Sequence, residues 1–123
     1  MTLNNLTAVV TGGCSGLGHA TAIALREAGA NVSLFDLNDE LGAQRVEELG
    51  SDNTLFTKTD VRDETSVKAA IDATTDKFGA ISLVVNCAGI APAKRLLDKE
   101  GNPAPLGDFQ KTIDINLVGS FNV

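Results

Sequence analysis

A glycine-rich run near the start of the chain constrains its fold more than any other feature. Residues 11–18 read TGGCSGLG, between the apolar stretch 6–10 and an apolar-periodic stretch at 20–28. A glycine turn between a strand and a helix lets the backbone turn tightly and approach a ligand closely, because glycine has no Cβ atom. The helix that follows directs its first N–H groups and its positive dipole end at an anion. The run therefore predicts a nucleotide-binding βα unit, with a tight turn that holds no ligand as the alternative.

Strand-like and helix-like patterns alternate along the rest of the chain. We predict strands at 6–10, 31–36, 54–57 and 81–85, and helices at 16–28, at 38–49, after Asp63 and from about Asp108. The run 81–85 is continuously apolar, which is typical of a strand buried on both faces. Strands separated by helices predict an α/β fold with a parallel sheet and right-handed crossovers.

Composition excludes several classes of partner. The net charge of −6 argues against binding to nucleic acid or to an anionic membrane surface, both of which favour clustered Lys and Arg. No apolar run approaches the length of a membrane span, and the first residues have no basic region typical of a secretory signal. Cys14 and Cys87 lack metal-ligand spacing, so we expect reduced thiols, no metal and a cytoplasmic location.

An acidic residue follows the second predicted strand. Asp36 suits the ribose of an adenosine, because its carboxylate accepts hydrogen bonds from both hydroxyls. The same charge opposes a 2′-phosphate, and neither the glycine run nor residues 31–43 contain a Lys or Arg to offset it. The pattern favours NAD over NADP, with an ordinary surface aspartate as the alternative.

Two further strand ends carry residues suited to a nucleotide. After the third strand, the Asp60 carboxylate can accept from the adenine amine, and Val61 can offer backbone groups and an apolar wall. Asp60 can equally cap the next turn.

After the fourth strand, the small residues of 86–89 let the backbone run close to a ribose, and Asn86 can tie neighbouring strand ends together. A polar strand terminus without a ligand is the alternative for this segment.

These features together resemble the short-chain dehydrogenase/reductase family. The segments 11–18, 60–61, 86–89 and 116–119, with Asp36, occur in the family's order and spacing, over the N-terminal half of its usual length. Cys87 departs from the family's usual Asn-Asn-Ala-Gly. The resemblance implies a truncated, Rossmann-like doubly wound parallel sheet with strand order 3-2-1-4. Residues 1–123 would then be a single partial domain, the NAD-binding half.

The resemblance also implies roles for individual residues, with NAD as the cofactor. Asn116 matches the family's catalytic asparagine, which supports a water-linked proton relay and interrupts its helix. No residue is assigned to a metal. Cofactor binding falls on Gly12, Ser15, Gly16, Leu17, Gly18, Asp36, Asp60, Val61, Asn86, Cys87, Ala88 and Gly89.

The activity implied is hydride transfer between NAD and a secondary alcohol, in particular a 3-hydroxyacyl-CoA, in an enzyme that forms homo-oligomers. Lys94, Arg95 and Lys99 would meet the CoA phosphates, with a solvated loop as the alternative. The family's Ser and Tyr-x-x-x-Lys lie downstream of Asn116, and this sequence contains no tyrosine. We therefore expect the segment alone to be inactive. A non-catalytic nucleotide-binding module and an inactive gene fragment are the alternative interpretations.

Overall fold

A computed structural model describes residues 2–123. Strands and helices alternate up to β4, and the last three elements are helical. They are β1 (Thr7–Thr11), α1 (Gly16–Glu27), β2 (Asn31–Asp36), α2 (Asp39–Leu49), β3 (Thr54–Lys58), α3 (Glu64–Phe78), β4 (Leu83–Asn86), α4 (Leu106–Ile113), a π-helical segment (Asp114–Val118) and α5 (Gly119–Asn122).

The four strands form one parallel sheet in the order β3-β2-β1-β4. This confirms the predicted fold class and strand order. Short polar side chains cap the N-termini of two helices, as predicted from the sequence. Asn38 accepts a hydrogen bond from the N–H of Leu41, and Asp63 accepts one from the N–H of Thr65. Each bond satisfies one of the free N–H groups of a first helical turn.

The core lies on both faces of β1 and β2. On one face, Val10, Leu34 and neighbouring side chains pack with Ala22 and Leu25 of α1. On the other face, Val9 and Phe35 pack with Ala70 of α3. Helices therefore cover both sides of the sheet, as in a doubly wound fold. The parallel strands consequently bring all four of their carboxyl ends to one edge.

The prediction for the fourth strand was wrong in its burial and its bounds. The strand begins at Leu83 rather than Ile81 and extends to Asn86. Leu83 and Val85 are half-buried against the α1 face, whereas Val84 is 41% exposed. The physical reason is that β4 is the edge strand of the sheet and pairs only with β1, which leaves the face that carries Val84 partly open. The last helix likewise begins at Leu106, slightly earlier than predicted.

No helix in the described part of the chain is both long and apolar enough to span a bilayer.

Candidate functional site

A cavity of about 580 Å³ lies at the carboxyl edge of the sheet. This volume is within the range of small-molecule sites. Every predicted cofactor-binding residue lines it except Asn86, which lies on the exposed face of β4. The strand ends and the glycine turn, distant in sequence, thus meet around one space.

The glycine turn forms the floor of this cavity. At Gly18, a Cβ atom would stand 2.1 Å from the carbonyl oxygen of Gly12, so no side chain fits there. Gly16 has a φ of +53° and open space beside it, so its backbone is accessible to a ligand. The Ser15 side chain makes no capping bond to α1, and its hydroxyl is available to an anion at the start of that helix.

The Asp36 carboxylate lies on the rim of the cavity and is held by backbone N–H groups. Its Oδ2 accepts from Cys14 at 3.1 Å, and its Oδ1 accepts from Leu37 at 2.8 Å and Asn38 at 3.3 Å. A carboxylate has about four lone-pair sites, so acceptor capacity remains for a ligand hydroxyl. The charge is fixed in place before any ligand arrives.

Arg62 is a cavity residue that the sequence reasoning missed. Its guanidinium donates to both oxygens of Asp60, at 3.0 and 2.7 Å, and its backbone N–H adds a third bond. The side-chain bonds from Arg62 lower the pKa of the Asp60 carboxyl, against the opposing effect of its partial burial. The two-residue spacing of Asp60 and Arg62 was the available signal. Lys111 also lines the cavity and was missed, because only the fold brings α4 to this edge.

The backbone after β4 is held mainly by Thr11, whose role was also missed. The buried Thr11 hydroxyl accepts from the N–H groups of Cys87 and Ala88, at 3.1 and 3.0 Å. Its contact with Asn86 Oδ1 is longer, at 3.5 Å. The tie between strand ends that was predicted for Asn86 is therefore made chiefly by Thr11. A threonine at the carboxyl end of the first strand was the only sequence signal.

Asn116 joins the last helix to the segment after β4. Its Oδ1 accepts from the N–H of Ile90, and its Nδ2 donates to the carbonyl of the same residue, both at 2.8 Å. Asn116 lies within the π-helical segment Asp114–Val118, so the helix is interrupted there, as the family resemblance implied. Such π-helical insertions are frequent at functional sites.

A second cavity, of about 640 Å³, adjoins the first and shares Ile90 with it. Asn116 lines this second cavity, together with apolar side chains such as Phe109 and the cations Lys94 and Arg95. Asn116 and Ile90 therefore stand at the boundary between the two spaces.

Cys14 offers no obvious chemistry. Cys14 is fully buried, and burial, followed by the charge of Asp36, raises the pKa of its thiol to about 12. A thiol held neutral in this way is a poor nucleophile. In the described residues no group of three or more His, Cys, Asp or Glu is placed to hold a metal ion.

Comparison with known proteins agrees with this geometry. The family model for short chain dehydrogenase matches residues 6–123. The chain therefore belongs to the short-chain dehydrogenase family, whose members are oxidoreductases.

Particular relatives and a solved structure show which proteins of known sequence and structure the chain is similar to. The chain is 47% identical over 122 residues to 3-hydroxyacyl-CoA dehydrogenase type-2 of Drosophila melanogaster and 43% identical to the Homo sapiens protein of that name. These alignments cover 98% of the chain and 48% and 46% of the two relatives, so the chain spans about half the length of the curated relatives it matches. The solved structure of gox2181 superposes with a TM-score of 0.88 at 33% identity, covering 98% of this chain and 46% of that one.

Proposed function

We propose that the chain is the NAD-binding portion of a short-chain dehydrogenase that transfers a hydride between NAD and a secondary alcohol, in particular a 3-hydroxyacyl-CoA. The observation that carries this proposal is the cavity at the sheet edge, where the glycine turn meets Asp36, Asp60 and the segment after β4. The identity to 3-hydroxyacyl-CoA dehydrogenases supports the substrate class.

The residues present fit a dinucleotide. The open backbone at Gly16 and the free Ser15 hydroxyl suit a pyrophosphate at the start of α1. Asp36 would accept from the adenosine ribose, while Asp60 and Val61 would border the adenine. Cys87, Ala88 and Gly89 would pass beside the second ribose, and Leu17, 83% exposed, offers an apolar surface to the nicotinamide side. When bound, NAD supplies the hydride acceptor.

Charge at the rim favours NAD over NADP. Two like charges about 4 Å apart repel by roughly 4 kcal/mol at an effective dielectric of 20, so a 2′-phosphate beside Asp36 is disfavoured. Two cations line the cavity, Arg62 and Lys111; Arg62 is paired with Asp60, and among the described residues neither cation forms an ion pair with Asp36. Calorimetric titration of both cofactors at matched salt tests this: NAD should bind at least tenfold more tightly. Equal or tighter NADP binding would contradict the proposal.

Asn116 is the chain's own candidate for a catalytic role. Both atoms of its amide hold the Ile90 backbone, which fixes the boundary between the cofactor cavity and the second cavity. In this proposal the second cavity receives the alcohol, and Asn116 supports a water-linked proton relay beside it.

The polar loop beside the second cavity would meet the phosphates of an acyl-CoA. Lys94 pairs with Asp108, whereas Arg95 and Lys99 form no ion pair with described residues and remain available to an anion. In a full-length form, replacing Arg95 and Lys99 with Ala should raise the KM for a 3-hydroxyacyl-CoA more than for a small alcohol. Lys68→Ala, on the exposed side of α3, is the matched control. An equal change in KM for both substrates would indicate that the loop is solvated and does not contact the CoA phosphates.

A non-catalytic nucleotide-binding module is the second candidate, because this sequence contains no tyrosine. We propose that the chain alone gives no turnover, since general acid/base catalysis needs a group tuned near the working pH. The assay is NADH formation with a 3-hydroxyacyl-CoA, with and without the C-terminal half of a relative. Restored activity favours the dehydrogenase, and persistent inactivity with intact NAD binding favours the module.

We also propose that the protein forms homo-oligomers. Leu117 and Phe121, which line neither cavity, are 64% and 92% exposed along the last helices, and large apolar side chains are stabilised by burial. Sedimentation at several concentrations should show self-association, and a monomer at all concentrations would contradict it.

A further inference from the structure

We propose that Arg45 is a positioning residue for the glycine turn. Together, Arg45 and Asp36 form a clamp: they fix the backbone of the turn through hydrogen bonds to Cys14. This inference deepens the proposed function, because it assigns to α2 a part in shaping the pyrophosphate site. Arg45 does not line the cofactor cavity, so any effect on a ligand must pass through the turn.

The clamp consists of two hydrogen bonds to one residue. The N–H of Cys14 donates to Asp36 Oδ2 at 3.1 Å, and its carbonyl accepts from Arg45 Nε at 3.1 Å. Cys14 lies midway along the loop between β1 and α1, and its side chain is fully buried. Both polar groups of this backbone unit are therefore fixed by charged side chains from neighbouring elements. Charge-assisted bonds of this kind are stronger than neutral ones.

Arg45 is itself held in position. Its Nη1 lies 2.8 Å from Glu48 Oε2, and Glu48 Oε1 lies 3.4 Å from His19 Nε2. The bond from Arg45, with a smaller contribution from His19, lowers the pKa of the Glu48 carboxyl. His19 directly follows Gly18, so the network runs from α2 to the start of α1 as well as to the turn.

The geometry requires a guanidinium. Arg45 uses Nε for the Cys14 carbonyl and Nη1 for Glu48, so two donors on one rigid plane serve two acceptors. A lysine has one compact donor on a flexible stem and cannot reproduce this fork. We therefore expect Arg45→Lys to restore little of what Arg45→Met removes.

Arg26 supplies a matched control. It also bridges α1 and α2 through backbone carbonyls, with Nε donating to Leu49 at 3.3 Å and Nη1 donating to Ala30. These contacts lie at the opposite end of α1 from the turn. Arg26→Met thus removes guanidinium bonds to backbone carbonyls, as Arg45→Met does, but without touching the glycine run.

The test compares the two methionine variants by amide hydrogen exchange and by calorimetry. Arg45→Met should speed exchange of the amides of residues 12–16 about tenfold, and Arg26→Met should leave them unchanged after correction for global stability. Arg45→Met should also weaken NAD binding about tenfold while changing adenosine binding less than about twofold, because adenosine lacks the pyrophosphate.

Equal exchange at the turn in both variants would overturn the clamp, as would equal losses of NAD and adenosine affinity. The exchange measurement needs no ligand. If the parent chain fails to bind NAD, the proposed function fails, yet the comparison of exchange rates still decides the role of Arg45.

Discussion

The segment before β4 and the segment from β4 onward differ sharply in how they are held. In the first, β1 and β2 are buried along almost their whole length, and the Asp36 carboxylate fixes the backbone of the glycine turn at Cys14. In the second, Gly119 is the only described residue that is fully buried, and Phe109 and Phe121 are largely exposed. The glycine turn and the strand ends before β4 are thus held by buried contacts, whereas the second cavity is lined mostly by exposed residues.

The contrast shows how the two sides of one site obtain their shape. The glycine turn is shaped by close packing of backbone atoms, which leaves no room for variation at Gly18. The boundary with the second cavity is shaped by side-chain hydrogen bonds, chiefly those between Asn116 and Ile90. Substitutions in the glycine turn should therefore lower the unfolding free energy more than substitutions at the boundary with the second cavity.

The largest effect is expected at the glycine turn. Gly18→Ala would place a Cβ atom 2.1 Å from a backbone oxygen, so the turn must shift, and we expect a loss of about 2 kcal/mol or more in unfolding free energy. NAD binding should fall below detection. Gly107→Ala, in α4 with nothing within 4 Å of the added atom, is the control and should be neutral or slightly stabilising in urea unfolding. Similar losses of unfolding free energy in Gly18→Ala and Gly107→Ala would contradict the expected difference between the two segments.

A smaller effect is expected at the tie between β1 and the segment after β4. Thr11→Val keeps the shape of the side chain but removes the hydroxyl that accepts from Cys87 and Ala88. The Cys87 N–H keeps its bond to the Thr11 carbonyl at 3.2 Å, but the Ala88 N–H loses its acceptor. An unsatisfied buried N–H costs about 1–3 kcal/mol, and urea unfolding should show a loss at the low end of this range because the site is only partly buried. Thr75→Val, on the exposed face of α3, should change stability far less. An unchanged midpoint for Thr11→Val would mean that the tie is not structural.

A still smaller loss of stability is expected at the boundary with the second cavity. Asn116→Ala removes both bonds to Ile90, which lie near solvent, and we expect about 1 kcal/mol of lost stability. Amide exchange should speed up at residues 88–91 and remain slow in β1 and β2. Asn102→Ala, which removes a side-chain bond to Asp98 within the exposed loop, is the comparison. Faster exchange throughout the sheet would show that the two segments are not independent.

The smallest effect concerns Cys14. Because burial raises the pKa of its thiol to about 12, the thiolate is scarce at pH 8 and the group is shielded. Iodoacetamide should leave Cys14 unmodified in the folded chain, as measured by peptide mass spectrometry, and modify it after unfolding in urea. Rapid alkylation in the folded state would show that the turn opens readily and would contradict its rigidity.

Local signals made most of the first segment predictable. The helix caps at Asn38 and Asp63 depend on bonds to residues only two or three positions away, so the sequence alone indicated them. The parallel strand order followed from the alternation of elements and the family resemblance. The strand ends met around one cavity because every strand of a parallel sheet ends on the same edge.

Contacts between distant elements could not be predicted in the same way. Arg45 reaches Cys14 across 31 positions, and no residue spacing encodes that approach. The apolar run of β4 indicated a strand, but it did not show that the face carrying Val84 would be partly open to solvent. Burial depends on the neighbours that the fold supplies, and these are set by packing rather than by the run itself.

The central claim is that the carboxyl edge of this sheet holds NAD through the glycine turn and Asp36. Amide chemical-shift mapping of the chain during titration with NAD tests it most directly. The account predicts shifts at residues 12–18, at Asp36, at 60–61 and at 87–89, with little change in the loop 93–105. Shifts confined to that loop, or none at saturating NAD, would contradict it.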